Sequence, residues 1–260
     1  MTATTPMQTS SGRRKPALDH ATATRLAATE YDRFLAQLRR LSPADWSATT
    51  VCPSWDVHAM ACHVLGMAKM SSSLRENLRQ FRIATRTAKR EGVLFIDALT
   101  ELQVREHQSL SSGKIVDALS NVGPKAARGR ARTPALMRRL PVGDQPIDET
   151  GSMTEQWSLG YLNDVILTRD TWMHRSDIGA ATARDMELSA DHDGVLVADV
   201  AAEWARRHGQ PCALVLTGPA GGRWTWGAGG PTIELDSVEF CRAVSGRGTG
   251  EGLLATRVPF

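Results

Sequence analysis

Four long segments in which apolar residues recur at helical intervals occupy most of the first 180 residues of this chain. They cover residues 18–40, 55–80, 93–120 and 152–180. In the first segment, Leu26, Phe34 and Leu38 fall on one face of a helix. Because each helix must bury its apolar face, the four segments predict a helical bundle, in which side chains from facing helices can build an internal site.

A segment rich in proline, glycine and arginine lies between the third and fourth predicted helices. It covers residues 123–146 and reads GPKAARGRARTPALMRRLPVGDQP. Glycine and proline interrupt regular structure, so we interpret this segment as a long crossover loop of the bundle.

The sequence pattern changes after about residue 186. A helix is predicted first, then three short strands separated by glycine-rich turns, then a second helix. These elements cover residues 188–208, 212–218, 223–227, 232–236 and 237–246. The predicted fold class is therefore α+β: an N-terminal four-helix bundle over residues 17–183, and a small C-terminal α+β domain with a short antiparallel sheet over residues 184–260.

The net charge of the chain comes from its first residues. The formal charge is +3, and residues 1–16 contain Arg13, Arg14 and Lys15 but no acidic residue. We predict that residues 1–16 form a disordered basic tail. Since the rest of the chain is neutral overall, it lacks the general excess of basic residues expected of a nucleic-acid-binding surface, and no nucleic-acid partner is predicted.

The cysteines and the apolar segments indicate the cellular compartment. The four cysteines form no C-x-x-C pair, and the first residues include no apolar signal segment. No stretch approaches the roughly 18 apolar residues of a membrane span. These features predict a cytoplasmic protein without a membrane partner, either a monomer or a homodimer.

One segment, DTWMHRSD, contains an acid and a histidine four residues apart. On a helix, Asp170 and His174 lie on the same face, and together they could hold a divalent cation such as Zn²⁺ or form an ion pair. A third ligand would come from another helix. His63 is a candidate because it lies in an apolar helical segment, although a hydrogen-bonded core histidine is the alternative.

Two motifs resemble the family of mycothiol-dependent maleylpyruvate isomerase-like proteins, whose first domain belongs to the DinB-like bundle superfamily. In LSPADWSATTVCPSWDVHAMACHVLG (41–66), Trp55 precedes His63 by eight residues. TRDTWMHRSDIGAA (168–181) is similar to the signature acid-x-x-x-His-Arg-x-Asp. The resemblance covers roughly residues 18–250 and includes a W-x-W strand near the C-terminus.

The resemblance implies a metal site formed by His63, Asp170 and His174, with Zn²⁺ as the expected metal. Many relatives have glutamate at the position of Asp170, and the shorter carboxylate can still coordinate. Asp177 follows His174 by three residues and could orient its ring from outside the metal's own ligands. The alternative for Asp177 is an exposed charge at the helix end.

The resemblance also implies the chemistry. A small-molecule thiol, mycothiol, would provide a thiolate that attacks a small electrophilic substrate, in an S-transfer or an isomerisation. Cys52 and Cys62 are interpreted as packing residues rather than as nucleophiles. Arginine far outnumbers lysine, which is typical of a GC-rich genome, and an actinobacterial source would supply mycothiol.

A row of arginines could recognise the substrate. Five of them share one helical face if a single helix runs through Arg75, Arg79, Arg82, Arg86 and Arg90. The row is either a solvated surface paired with acidic neighbours or a source of one or two guanidinium groups for a substrate carboxylate. For the second case we select Arg82 and Arg86.

Two other functions remain open at the level of the sequence. The bundle could serve as a biosynthetic lyase, cyclase or pericyclase-like catalyst in which metal is optional. It could also be a non-catalytic ligand-binding protein. A requirement for a thiol separates the first hypothesis from the biosynthetic catalyst, and neighbouring genes would separate an enzyme from a non-catalytic protein.

Overall fold

The computed structural model describes residues 13–147 and 154–260. Its helices are α1 (His20–Arg39), α2 (Val57–Ser72), α3 (Leu74–Glu91), α4 (Phe95–His107), α5 (Ser112–Ala131), the single turn α6 (Leu159–Tyr161), α7 (Leu167–Thr182), α8 (Asp193–His208) and α9 (Ser237–Ser245). Its strands are β1 (Pro141–Pro146), β2 (Thr154–Ser158), β3 (Cys212–Thr217), β4 (Gly222–Trp226) and β5 (Thr232–Asp236). None of the described helices is long and apolar enough to cross a membrane.

Helices α1, α2, α5 and α7 form the bundle, and α3 and α4 pack as a pair beside α2. The bundle core contains Phe34 and Leu38 from α1, Leu65 from α2 and Ile115 from α5, all of them buried. The predicted fold class, a helical bundle followed by a small α+β region, is confirmed.

Two of the predicted long helices are each divided by a serine cap. The segment 55–80 breaks at Ser73, whose backbone is extended and whose hydroxyl accepts from the amide of Glu76 at 3.4 Å. The segment 93–120 breaks before Ser111, which caps α5 in the same way. Serine favours these positions because its side chain satisfies an amide that has no partner within the helix.

The prediction of a loop over residues 123–146 is wrong for its first part. Helix α5 continues through Gly123 and Pro124 to Ala131. Gly123 packs against the side chain of Tyr31, and a Cβ at Gly129 would overlap the carbonyl oxygen of Ser71. These glycines let α5 approach α1 and α2 closely, a role that only the tertiary packing reveals.

The second part of this segment belongs to a hairpin. Strand β1 pairs with β2 in antiparallel fashion, with Asp144 opposite Gln156. The prediction of a helix over residues 152–180 is wrong at its start. Residues 152 and 153 lie outside the described part, strand β2 follows them, and regular helix begins only at Leu159. A π-helical turn, Leu162–Ile166, leads into α7.

The close contact at Gly129 makes a testable prediction. We expect Gly129→Ala to destabilise the protein by about 1–3 kcal/mol, because the methyl group would force α5 away from α2. Gly113→Ala on the same helix is the matched control: its Cβ meets nothing within 4 Å, and the change should stabilise the protein slightly. Urea unfolding measures both, and equal effects would contradict the packing argument.

The C-terminal region packs α8 and α9 against a three-stranded sheet with strand order β4-β3-β5. The predicted antiparallel pairing holds for β3 and β4, whereas β5 lies parallel to β3 on its other edge. The core around Trp204 and Phe240 also includes Trp172 and Met173 of α7, so this region packs directly on the bundle. The domain boundary at residue 183, one residue after the end of α7, stays a prediction.

The predicted disordered tail lies mostly outside the described part, which begins at Arg13. The structure differs from the prediction for the last residues of that tail. The amide of Arg14 donates to Gln156 at 2.8 Å, and the Arg14 guanidinium contacts the carboxylate of Glu155 at 3.1 Å. Arg14 is therefore fixed against the hairpin, whereas the basic composition of the tail by itself predicts disorder.

Candidate metal centre

Helices α2 and α7 bring His63, Asp170 and His174 together inside the bundle. The Nε2 atom of His63 lies 3.4 Å from Oδ2 of Asp170, and Nε2 of His174 lies 3.5 Å from Oδ1. The two imidazole rings are nearly perpendicular, with centroids 5.2 Å apart. One potential ligand atom from each of the three residues lies within 4.8 Å of the others. We call these residues the His63–Asp170–His174 cluster.

The spacing and chemistry of the cluster fit a divalent cation. Ligands placed tetrahedrally at about 2.1 Å from Zn²⁺ are about 3.4 Å apart, and each histidine nitrogen lies at about that distance from one of the two oxygens of Asp170. Two imidazole nitrogens and a carboxylate oxygen are also ligands that Zn²⁺ takes. In addition, Oδ2 of Asp170 is buried without a hydrogen-bond partner among the described residues.

Asp170 and the two histidines strongly affect one another's charge state. Burial raises the pKa of Asp170, but the adjacent His174 and His63 outweigh it and hold this pKa well below its usual range. Burial lowers the pKa of His174, yet the charge of Asp170 prevails and raises it to about 9. His174 is therefore protonated at neutral pH when no metal is present, and a bound metal takes the place of that proton.

The three side chains of the cluster differ in their exposure. The Asp170 side chain is 24% exposed, whereas the two histidine side chains are 6% and 4% exposed. Trp55 covers the histidines, with ring centroids 5.1 Å from His63 and 6.0 Å from His174. Asp170 is therefore the most exposed member of the cluster, and an aromatic ring lies beside its two histidines.

Asp177 connects the cluster to the C-terminal region. Its Oδ2 atom lies 3.4 Å from Nδ1 of His174, and the residue is only 1% exposed, so it is not the exposed helix-end charge that the sequence left open. Arg247 donates to its carboxylate at 2.9 Å, and Arg242 contacts it at 3.3 Å. Sequence reasoning missed both arginines, because nothing in the local pattern links them to a residue 65 or 70 positions earlier.

The region that contains all of these residues except the two arginines matches a family model. The model for the mycothiol maleylpyruvate isomerase N-terminal domain matches residues 27–179, more than half of the chain. The chain belongs to this family. The resemblance stated from the sequence is thereby confirmed.

Two solved structures of the family resemble the chain over most of its length. One is the crystal structure of the mycothiol-dependent maleylpyruvate isomerase, with a TM-score of 0.52 and 17% identity, and the other is a histidine-to-alanine mutant, with a TM-score of 0.54 and 15% identity. Each match covers 89% of this chain and 91% of the other. At such low identity the likeness shows a shared fold. A comparison with curated proteins finds no match.

The family signature also includes Arg175, which belongs to a second buried cluster that the sequence did not reveal. Glu30, His192 and Asp193 offer potential ligand atoms close together. Here, however, Arg175 contacts Glu30 at 3.0 Å and Arg33 pairs with Asp193 at 2.5 Å. Because the guanidinium groups already neutralise both carboxylates, we interpret this cluster as a charge network that joins α1 and α7 to the start of α8.

The two arginines selected for the substrate lie away from this network and remain exposed. Arg82 and Arg86 are on α3, which packs against α2 and α4, and neither forms an ion pair among the described residues. Asp170 and His174 are on α7. The structure does not bring the two arginines to the cluster, so their role stays a prediction without structural support.

None of the four cysteines of the chain provides a reactive thiolate. Burial raises the pKa of Cys62 to about 12, and burial together with Asp177 raises that of Cys52. Cys212 and Cys241 are buried in the C-terminal core, and burial raises the pKa of both thiols. At neutral pH these four groups remain thiols and are poor nucleophiles.

Proposed function

We propose that the protein is a metal-dependent enzyme that uses a low-molecular-weight thiol, mycothiol, for S-transfer to a small electrophilic substrate or for its isomerisation. The observation that carries this proposal is the His63–Asp170–His174 cluster, with its ligand spacing and an unpartnered carboxylate oxygen. Family membership supports the thiol, since the solved relatives are named mycothiol-dependent maleylpyruvate isomerase.

The residues of the cluster and Asp177 would have different roles. Two imidazoles and Asp170 would hold the divalent metal, for which Zn²⁺ is the best fit. Bound there, such a cation favours the thiolate over the thiol of a small molecule and so provides a nucleophile at neutral pH. Asp177, fixed by Arg247, would orient the His174 ring through Nδ1.

The state of the protein's own thiols supports an external nucleophile. The pKa of Cys62 is about 12 and that of Cys52 is raised, so neither forms a thiolate readily at neutral pH. The nucleophile would instead be the thiolate of mycothiol. Asp170 is the most exposed member of the cluster, and Trp55 lies beside His63, so we expect the thiol to approach from the Asp170 side.

A thiol-dependence assay tests the proposed function. Zn²⁺-loaded protein is mixed with mycothiol and a panel of small electrophiles that includes maleylpyruvate, and thiol consumption and isomerisation are followed separately. We expect turnover with at least one electrophile that requires mycothiol and is not restored by glutathione. Turnover that is equally fast without any thiol would overturn the proposal and favour a lyase- or cyclase-like catalyst.

Asp177 provides a second prediction. We expect Asp177→Asn to weaken Zn²⁺ binding about 10–100-fold, because the neutral amide no longer stabilises the ring of His174. Competition with a fluorescent chelator measures the affinity. Glu239→Gln is the matched control, since this exposed carboxylate is 3.9 Å from the same Arg242 but does not contact the cluster. Unchanged affinity in Asp177→Asn would show that Asp177 only anchors the C-terminal region.

A further inference from the structure

A cavity of about 410 Å³ lies between the basic N-terminal segment and helix α8. Residues 13–17 line one side, and α8 contributes Asp199, Glu203 and Arg206. No member of the His63–Asp170–His174 cluster lines this cavity. Its volume is within the range of pockets that hold small molecules, so the cavity is a candidate for a second ligand site. We call it the N-terminal cavity.

The hairpin holds the N-terminal wall of this cavity in place. The amide of Arg14 donates to the carbonyl of Gln156 at 2.8 Å, and the carbonyl of Arg14 accepts from the amide of Ser158 at 3.0 Å. The guanidinium of the preceding residue, Arg13, donates to the carbonyl of Arg139 at 2.8 Å. Backbone pairing to β2 therefore fixes the segment whose basic residues line the cavity.

The two carboxylates of the N-terminal cavity already have partners. Glu203 contacts Arg169 at 2.9 Å and Arg207 at 2.7 Å. It also accepts a hydrogen bond from the hydroxyl of Tyr161 at 2.8 Å. Asp199 contacts Arg169 at 2.6 Å. Because guanidinium groups compensate both carboxylates, neither is available to the other cations of the cavity.

Three cations of the cavity have no acidic partner. Arg13, Lys15 and Arg206 are exposed, and none of them forms an ion pair within residues 13–147 and 154–260. Residues 1–12, which precede them, contain no acidic residue. Basic groups gathered around a concave surface attract anions and raise their local concentration. The positive charge that the sequence places near the N-terminus therefore meets a cavity in which an anion could bind.

We propose that the N-terminal cavity binds a small organic phosphate, whose phosphate group is held by Arg13, Lys15 and Arg206. A phosphate monoester carries between one and two negative charges at neutral pH and has three acceptor oxygens, so it can serve three cations at once. Guanidinium groups match phosphate oxygens in pairs, and lysine adds a point charge. This site goes beyond the proposed function, because it requires neither the metal nor the thiol.

The rest of the lining suits the organic part of such a ligand. Pro16 and Ala17 from the N-terminal segment and Val165 from the π-helical turn provide apolar contacts. A ligand with a small apolar group would therefore fill the cavity better than inorganic phosphate alone.

The test uses phenyl phosphate as the probe, because it combines a phosphate monoester with one apolar ring. Calorimetric titration of the full-length protein at about 150 mM salt, which screens long-range attraction, should show one saturable site. Lys15→Gln/Arg206→Gln should weaken binding at least about tenfold, because two charge-assisted hydrogen bonds are lost. Benzoate, which carries a single charge, should bind more weakly than phenyl phosphate to the wild-type protein.

Two further variants separate the cavity from general charge. Lys125→Gln/Arg223→Gln removes the same charge from exposed positions that do not line the cavity, and it should leave the affinity unchanged. Ala17→Phe keeps every cation but fills part of the cavity, and it should weaken binding about fivefold. All five substituted side chains are exposed, so we expect the variants to fold.

Several results would overturn the proposal. These are the absence of saturable binding to the wild-type protein, equal losses in the two double variants, and wild-type affinity in Ala17→Phe, which would indicate a surface anion site outside the cavity. A thymidine oligonucleotide that binds more tightly than phenyl phosphate, and equally well to Ala17→Phe, would assign the basic segment to nucleic acid instead.

Titration of the His63→Ala/His174→Ala variant distinguishes this site from the candidate metal centre. Phenyl phosphate binding retained there supports the N-terminal cavity, even if the thiol assay fails. Binding lost in this variant would place the phosphate at the metal and contradict the proposal.

Discussion

The His63→Ala/His174→Ala variant should contain less than about a tenth of an equivalent of divalent metal after purification without chelator, against about one equivalent in the wild-type protein. The reason is the ligand set: once both imidazoles are removed, Asp170 is the only member of the cluster that can coordinate, and one carboxylate does not retain Zn²⁺. Mycothiol-dependent turnover should fall to background at the same time. Elemental analysis by mass spectrometry and the thiol assay measure the two effects.

A second histidine variant controls for loss of a ring as such. The control is His58→Ala. His58 lies on α2, as His63 does, and its Nε2 atom is 2.8 Å from the carbonyl oxygen of Leu110, away from the cluster. We expect this variant to keep its full metal content and turnover. Metal retained in the double variant would mean that the ion binds elsewhere, and the function proposed from the cluster would then be wrong.

Arg175→Met should destabilise the protein by about 3–5 kcal/mol, the largest effect we expect on folding from a single substitution. Arg175 is 1% exposed, contacts Glu30 at 3.0 Å and Asp193 at 3.4 Å, and donates to the carbonyl of Glu187 at 2.6 Å. Methionine fills a similar volume but leaves two buried carboxylates with less compensation. These contacts also join α7 to the region that precedes and begins α8.

Urea unfolding followed by tryptophan fluorescence measures this loss. Arg184→Met is the control, because Arg184 pairs with Asp45 at the surface, where its own side chain is 46% exposed, and solvent compensates both charges. We expect a much smaller change in the free energy of unfolding for the control. Comparable losses in the two variants would show that the buried network contributes no more than a surface pair.

Much of the helical architecture could be predicted from local sequence. Periodicity located α1 within two residues of each end, and the three C-terminal strands lie where glycine-rich turns separate the β-favouring runs. The segment after Gly123 was predicted wrongly, because glycine and proline usually interrupt helices. There the close approach of α5 to Tyr31 and Ser71 outweighs local propensity.

In the candidate metal centre, too, some contacts follow from residues close in sequence and others depend on distant segments of the chain. The four-residue spacing of Asp170 and His174 places both on one face of α7. His63 was a candidate because it lies in an apolar helical segment, and the family resemblance implied it as the third ligand. No spacing could relate Asp177 to Arg247, because these residues meet only when distant parts of the chain pack together. Arg82 and Arg86 do share a helix, as their spacing predicts, but that face is exposed.

The sequence by itself determined the helices, the C-terminal strands and the pairing of Asp170 with His174, because each depends on residues a few positions apart, where helix and strand geometry fix which side chains are neighbours. Only the tertiary structure decided that Arg130 is buried in α5 although its segment was predicted to be a loop. It also decided that Asp177 contacts Arg242 and Arg247, and that β5 lies parallel to β3. The physical reason is that burial and charge compensation depend on what surrounds a group in space, and for these residues the surroundings come from distant segments of the chain.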